Sequence, residues 1–539
     1  MQPDMSRLSA LEVNLATRVN IGDSLTRAAT QFPGRISLID QGEEITYAAL
    51  NDASERVAAA LLGLGLSHQE PVALVMGNSW RMLATYYGCA KAGLVAMPMN
   101  FLLAPYDQRW ILDDSKARVI VVDAALVPTV EQVLTDAPGV ETVIVVGDGP
   151  ASVAGRTTHE WRQLLDTQDG RPVEVAIDDR DTVQCLYTSG TTSRPKGVLV
   201  SHVSLQIALL SNAIVANHRW GHDWSVLLNV LPMFHTTALN TLVMPTLTVG
   251  GTVVLPGPFD PQVALDLIER HRVTHIMMLP VMHAACVAAQ ADRPRDTSSV
   301  RTAIYAMTPM PPSLLDRVDA LYPGAEVILG SGQTEVVPAT VMQWTEHRHT
   351  AADSWGPSVP TVQTQIMAPD GSLLPTHGTG EIVYRGPHVS SGYWRNPEAN
   401  ATAYAHGWFH SGDVGHLDDA GVVWFTDRLK DIIKSGGENV SSVAVESALT
   451  DAPGVAECAV VGLPDARWGE AVCVVVVPDR TVPEEQLEAS VLAHAKSRLA
   501  GFQVPKSVRI EQQLPKTATG KILKHQVRNA ARSQASAPE

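Results

Sequence analysis

Cysteine and lysine are both scarce in this chain, and each shortage narrows what it can be. The five cysteines (Cys89, Cys185, Cys286, Cys458 and Cys473) are far apart, with no C-x-x-C pair. That spacing argues against a disulfide framework or a zinc site and for reduced, partly buried thiols in the cytosol. Positive charge is also short. Forty basic against 56 acidic residues leave a formal charge of −16, the wrong sign for a partner with a phosphate backbone, so no nucleic-acid partner is expected. Long apolar runs are missing too. The longest, about Leu239 to Pro256, is broken by threonines, glycines and a proline, and reads as a buried strand pair, not a transmembrane segment. Met1 to Asn20 is polar and interrupted by charges, unlike a secretory leader. The expectation is a soluble, cytoplasmic protein.

The lysine shortage is the sharper clue. Only ten of the forty basic residues are lysine, and five of those (Lys196, Lys430, Lys434, Lys516 and Lys521) lie in glycine-rich segments. Arginine serves elsewhere, so these positions point to a need for a compact point charge in place of a planar fork.

At 539 residues the chain exceeds what one core usually supports, which predicts two or more domains. Apolar spacing predicts a helix over Ser54–Leu66, a strand over Pro71–Met76, a helix over Trp80–Lys91 and a strand over Ala117–Val122. Val183–Tyr187 reads as a strand running into a hydroxyl-rich loop, with a helix beginning near Ser201. Strand, loop and helix in that order would place the loop at a sheet edge where ligands of α/β proteins bind. Beyond about Lys430 the pattern changes to short strands (Ala456–Val461, Ala471–Val477, Ser507–Ile510) with a helix opening at Pro483, and Ser533–Glu539 reads as a frayed end. The expected fold class is α/β: a large N-terminal region of layered sheets and helices (1–428), then a small mobile α+β domain (429–539).

Two segments carry chemistry. Tyr187-Thr188-Ser189-Gly190-Thr191-Thr192-Ser193-Arg194-Pro195-Lys196-Gly197 sets hydroxyls and a glycine beside one lysine, a composition that can wrap a polyphosphate. Pro515-Lys516-Thr517-Ala518-Thr519-Gly520-Lys521 carries a second lysine near the far end of the chain. Neither has the order of a Walker loop, which needs Gly-x-x-x-x-Gly-Lys-Ser/Thr, so a kinase or GTPase of that kind is not expected.

The first segment, followed by Leu231-Pro232-Met233-Phe234-His235, Gly332-Gln333-Thr334-Glu335, Gly380-Glu381, Gly392-Tyr393-Trp394, Gly407-Trp408-Phe409-His410-Ser411-Gly412-Asp413, Asp427-Arg428-Leu429-Lys430-Asp431, Lys434-Ser435-Gly436-Gly437-Glu438-Asn439 and the Lys521 loop, resembles the adenylate-forming superfamily, acyl-CoA synthetase branch, over nearly the whole chain. The resemblance implies ATP, Mg²⁺ and CoA. It puts Thr188, Ser189, Gly190, Thr191, Thr192, Lys196, Gly330, Ser331, Gly332, Gln333, Thr334, Asp413, Arg428 and Lys521 around the nucleotide. It makes Glu335 the magnesium ligand, a role that suits a hard carboxylate oxygen. Asp413 would accept both ribose hydroxyls and Arg428 would donate to the same sugar. Lys521 would neutralise charge as a carboxylate attacks the α-phosphorus. Lys430 would be the hinge of a domain rotation, after which Lys434, Gly436 and Gly437 would line the path of the pantetheine arm. His235 would gate the acyl site or orient the carboxylate.

Two departures reshape the acyl pocket, whose walls the resemblance assigns to His235, Tyr305, Ala306, Met307, Ser331 and Gly332. Ser331 stands where the family has tyrosine, and Ala306-Met307-Thr308-Pro309 stands where it has Gly-Gly-Ala-Pro. Amino-acid-activating members carry Phe-Asp where this chain has Phe234-His235. A desolvated α-ammonium needs a carboxylate partner, so a hydrophobic carboxylic acid (fatty, alicyclic or aryl) is the expected substrate. The expected activity is an acid–CoA ligase acting through acyl-AMP. Loading of a carrier-protein phosphopantetheine is the alternative, a catalytically silent regulator on the same scaffold is disfavoured by the retained residues, and a homodimer stays open.

Overall fold

The computed structural model describes residues 5, 7–188, 194–221, 223–306, 310–465, 467–516 and 521–535. Of the positions singled out above, Ser189, Gly190, Thr191, Thr192 and Met307, with Thr517–Gly520, lie outside the described residues. Chain contacts divide the protein into two compact units. The larger holds Arg194–Gln363, Tyr384–Phe409 and the chain before the hydroxyl-rich loop; the smaller holds Thr364–Val383 and the chain from His410 onward.

Two eight-stranded sheets with flanking helices build the larger unit. One runs Ala339–Gln343, Glu326–Gly332, Thr302–Tyr305, His275–Met278, Val226–Leu228, Thr252–Leu255, Ile36–Asp40, Glu43–Thr46. The other runs Gly392–Tyr393, Lys196–Ser201, Thr182–Thr188, Val95–Pro98, Pro71–Val75, Val119–Asp123, Thr142–Val146, Thr157–Glu160. Each has a parallel centre with antiparallel pairing toward an edge. Parallel strands covered by helices on both faces read as unbroken apolar runs, as in Thr142–Val146, where Val143–Val146 are all buried. The predicted helix Trp80–Lys91 has those ends, with the Ser79 hydroxyl accepting from Met82 N–H as its N-cap. The predicted Ser54–Leu66 helix starts earlier, at Tyr47, where Thr46 caps it.

Two local expectations are corrected. The hydroxyl-rich loop does not lead from strand to helix. It joins two antiparallel strands, Thr182–Thr188 and Lys196–Ser201, with Thr188 opposite Lys196. The helix His202–Val215 follows only after that second strand, capped by Ser201. Lys196-Gly-Val-Leu-Val-Ser201 carries two β-branched valines, both buried, as a strand of a covered sheet does. The apolar stretch from Leu239 is likewise not a strand pair. A π-helical segment, Thr237–Val243, runs into the α-helix Met244–Thr248, and only Thr252–Leu255 is a strand. This helix is buried all round, so its periodicity carries no signal that separates it from a strand.

The smaller unit contains all but a few end residues of the sheet Gln363–Met367, Gly380–Arg385, Phe409–Leu417, Val423–Arg428, and a five-stranded sheet centred on Val455–Asp465 and Gly469–Pro478. Alternation along this long strand pair builds two cores. Val460, Val472, Val474 and Val476 pack with Val445, Leu449, Leu487 and Val491. Ala459, Val461, Cys473 and Val475 pack with Leu514, Val527 and Ala531. The final helix, Lys524–Ala535, covers the second core and extends order into part of the stretch expected to fray. Leu487→Ala should therefore destabilise the smaller unit by about 2–5 kcal/mol, read by urea unfolding of the full chain; a loss under about 1 kcal/mol would contradict this packing.

Candidate active site

In the larger unit the predicted residues gather where parallel strands of one sheet end. Val226–Leu228 leads to His235, Thr302–Tyr305 to Ala306, and Glu326–Gly332 to Gln333 and the short turn Thr334–Val336. With His275–Met278 between the first two, these strands are successive neighbours, so three strand spacings, roughly 14 Å, cover the array. Carboxyl ends of parallel strands are where α/β proteins bind ligands. Gly332 is held tightly: a Cβ there would lie 2.0 Å from the Pro338 carbonyl oxygen. Only glycine lets these two backbone segments meet.

Glu335 is half-buried. Its backbone carbonyl accepts from Ser390 N–H (2.7 Å), and its carboxylate Oε1 accepts from the Tyr393 hydroxyl (2.8 Å). Burial, then the Glu335 charge, push the Tyr393 phenol well above its ordinary range, so it stays protonated and donates. The Lys196 ammonium lies 5.0 Å from the centre of the Tyr393 ring, within cation–π range. Tyr393 thus stands between Lys196 and Glu335. Sequence alone assigns Tyr393 no role, because nothing local links it to residues 58 and 197 positions away.

The stems of the hydroxyl-rich loop are anchored on both sides. Trp110 Nε1 donates to the Pro195 carbonyl (3.2 Å) and Arg194 donates to the Tyr106 hydroxyl (2.9 Å). Trp394 N–H donates to Gly197 O (2.7 Å) and its indole N–H to Asp114 O (3.0 Å), while the Tyr187 hydroxyl donates to Asp114 (2.6 Å).

His235 is half-buried against Phe234, their ring centres 4.8 Å apart, and Phe234 packs edge-on to Phe101 at 5.1 Å. Its Nε2 is buried without a hydrogen-bond partner among the described residues. Burial pulls its pKa down to about 4, so the imidazole is neutral at neutral pH. The π-helical segment begins two residues later. Tyr305 and Ala306 are buried as well, and burial raises the Tyr305 phenol to about 12. Apolar, neutral walls of this kind suit an uncharged substrate tail.

The smaller unit holds the other set. Asp413 is buried and paired in register with Arg428 on the adjacent strand, Arg428 Nε lying 2.6 Å from Asp413 Oδ1. The chain turns directly after Arg428: Asp431 N–H donates to Arg428 O (2.9 Å), with Lys430 exposed in that turn. Lys521 belongs to the same cluster. Part of its surface stays exposed, yet the protein crowding its ammonium, then the positive charges of Arg428 and Lys430, pull its pKa down to about 8 against the opposing pull of Asp413 and Asp431. Lys430 is likewise lowered by desolvation, with Arg428 adding to the effect and Asp431 opposing it. Arg428, Lys430 and Lys521 outnumber the buried carboxylates Asp413 and Asp431, and such an excess of positive charge is a ready receptor for an anion.

The loop bearing Lys521 is closed at its base by a bridge between Lys516 and Ile522, and Lys516 pairs with Glu457 at 2.6 Å. Gly436 and Gly437 form the turn of a hairpin between Ile433–Ser435 and Glu438–Val440, with φ of 63° and 88°. Two successive positive φ values favour glycine there, and a Cβ on Gly436 would lie 2.9 Å from the Trp468 ring.

Magnesium fits the acidic position. Among the described residues no group of three or more His, Cys, Asp or Glu could hold a metal by itself. Tyr393 occupies one Glu335 oxygen and leaves the other as a hard donor, and Mg²⁺ is commonly held by one or two carboxylates together with substrate phosphates.

Comparison with known proteins gives the family and the fold. Residues 25–394 match the model of the AMP-binding enzyme family, and residues 444–521 match that of the AMP-binding enzyme C-terminal domain. A feruloyl-CoA synthase of Amycolatopsis sp is 36% identical over 512 residues, covering 94% of this chain and 98% of that protein. An indoleacetate–CoA ligase of Aromatoleum aromaticum is 34% identical over 514 residues, covering 95% and 98%. The crystal structure of an anthranilate CoA ligase in complex with anthranoyl-AMP superposes with a TM-score of 0.85 at 26% identity, covering 97% of this chain and all of that one.

The low pKa of His235 has a measurable consequence. Its ring signals in NMR should titrate near pH 4, against about 6.5 for an unfolded chain. A folded pKa below the unfolded one gives stability that is complete above about pH 6.5 and is lost as pH falls toward 4. Titration near 6.5 would contradict a buried, neutral ring.

Proposed function

The chain belongs to the AMP-binding enzyme family, and from that premise we propose that it is an ATP-dependent acid–CoA ligase for a hydrophobic, aryl or fatty, monocarboxylic acid. In the first half-reaction a carboxylate oxygen bonds to the α-phosphorus of ATP and the bond to the β-phosphate breaks, giving acyl-AMP and pyrophosphate. In the second, the CoA sulfur bonds to the acyl carbon, the acyl–phosphate bond breaks and AMP leaves, the thiol proton passing to solvent.

Each residue has a physical task. Lys521 offsets the charge that builds as two anions meet, an effect worth ~10²–10³ in rate. Arg428 and Asp413, one donor fork and one acceptor pair, hold the ribose hydroxyls. Lys196, with Thr188 opposite it, holds the phosphates from the hairpin. Glu335, fixed by Tyr393, would hold Mg²⁺, which when bound neutralises phosphate charge. The segment 429–539 turns about Lys430, so that the Gly436-Gly437 hairpin replaces Lys521 at the acyl group during thioester formation. ATP and CoA are both supplied in the cytoplasm, where this reading places the protein. No helix among the described residues is long and apolar enough to cross a membrane.

The observation that carries the reading is the Asp413–Arg428–Lys521 cluster, in which a lysine from far along the chain joins the residues assigned to the sugar. The substrate class rests on His235, whose neutral ring cannot pair with an α-ammonium as a carboxylate would, and on the aryl acids in the relatives' names. Purified protein with ATP, Mg²⁺, CoA and a panel of aryl, fatty and amino acids should exchange labelled pyrophosphate into ATP with aryl or fatty acids and yield their CoA thioesters by mass spectrometry. Exchange without thioester formation unless a holo carrier protein is added would transfer the assignment to carrier loading.

Lys521→Ala should lower pyrophosphate exchange at least about 100-fold and leave thioester formation from supplied acyl-AMP largely intact; equal loss in both would remove the division of labour. Lys430→Pro, which locks φ, should spare exchange and stall transfer to CoA, and an unchanged overall turnover would remove Lys430 as the hinge.

A further inference from the structure

The strand before the Lys430 turn and the last helix of the chain are joined by a row of polar groups that none of the roles above uses. Asp427, immediately before Arg428, is fully buried. Its Oδ2 accepts from both the backbone N–H and the hydroxyl of Ser442, the latter at 2.7 Å. The same Ser442 hydroxyl accepts from the Lys524 ammonium at 2.7 Å. Lys524 also pairs with Glu446 Oε1 at 2.8 Å, which in turn accepts from Val460 N–H at 2.7 Å. One turn further along the helix Arg528 pairs with Asp431 at 3.2 Å. Each group in the row therefore has a partner, as buried polar groups require.

What matters is where the row crosses the turn. Asp427 lies before Lys430; Ser442, Glu446, Lys524 and Arg528 lie after it. The bonds from Lys524 to Glu446 and from Glu446 to Val460 stay within the segment after the turn and would hold its helix to its sheet in any orientation. The Ser442–Asp427 contact is different, because it spans Lys430, so a rotation there that carries Ser442 away from the preceding strand would part it. Lys524 follows Lys521 by three residues, so the row also ties down the stretch that bears that lysine.

We propose that the Asp427–Ser442–Lys524 bridge is a latch, holding the Lys521-bearing segment in place for adenylate formation and opening for thioester formation. Ser442 and Lys524 are positioning residues acting through Lys521. This rests on the ligase reading and on the Lys430 hinge. Opening the latch exposes Asp427 to water and separates hydrogen bonds to a charged group, each worth about tenfold in an equilibrium constant. The latched state should therefore be favoured until pyrophosphate leaves.

Full-length Ser442→Ala and Ser442→Pro test this, each compared in both half-reactions with thermal unfolding measured alongside. Ser442 is the first residue of the helix Ser442–Leu449, where proline fits and its missing N–H breaks no helix bond, so the second variant removes both donors to Asp427. Pyrophosphate exchange should fall about five- to tenfold in Ser442→Ala and further in Ser442→Pro, while CoA transfer from supplied acyl-AMP stays level or rises. Ser442→Thr, which keeps the hydroxyl, should restore exchange. Unchanged exchange in both variants would overturn the latch, and so would a parallel fall of both half-reactions with thermal stability, which marks a structural brace. Wild-type protein lacking exchange altogether would overturn the ligase reading itself and the latch with it.

Discussion

One buried carboxylate organises the chemistry of the smaller unit. Asp413 sits inside the sheet, and a charge there is tolerable only because Arg428 faces it in register on the next strand. Once that pair is fixed, every further cation nearby meets a field already half-balanced. Lys430 and Lys521 lie in that field; crowding by the protein is the main cause that pulls both ammoniums below their ordinary range, and the Arg428 charge adds to it while Asp413 and Asp431 oppose it. A cluster with more positive than negative charge is unfavourable in the free protein and is relieved when an anionic ligand enters. The strain is local, small and directed at the kind of molecule the enzyme must bind.

The larger unit reaches a related end by different means. Its sheet gathers His235, Tyr305, Ala306, Gly330–Thr334 and Glu335 at the ends of neighbouring strands, so the fold does the positioning before any side chain makes a specific contact. Tyr393 then fixes one oxygen of Glu335 and offers its ring to Lys196. A neutral phenol serves both neighbours here, donating to the anion at its hydroxyl and presenting its π face to the cation.

Much of this was legible in the residues, for reasons that differ from place to place. Trp80–Lys91 was readable as a helix from its apolar spacing, and the Ser79 cap seen in the structure fixes its start. The long valine strands of the smaller unit were readable as strands but too short, since each neighbouring valine serves a core on an opposite face and the sequence marks no end. The run from Leu239 was misread because a helix buried on all sides has no polar face to reveal its period. The hydroxyl-rich loop was expected to lead into a helix and is followed by a strand instead: Lys196–Ser201 is short enough to pass for the approach to a helix. Tyr393, Ser442, Glu446 and Lys524 were missed as a group. Their partners come from distant parts of the chain, and no local pattern of residue types announces a contact of that range.

The central claim is that Lys521 shares one electrostatic cluster with Asp413 and Arg428 and serves an anion there. The most direct measurement is the pH dependence of Lys521 modification by an amine-selective reagent, followed by mass spectrometry with and without ATP. The account predicts an apparent pKa of about 8 for the free protein and protection from modification when ATP and the acid are bound. A lysine that titrates near 10.5, the ordinary lysine value, and reacts equally in the presence of both substrates would contradict it.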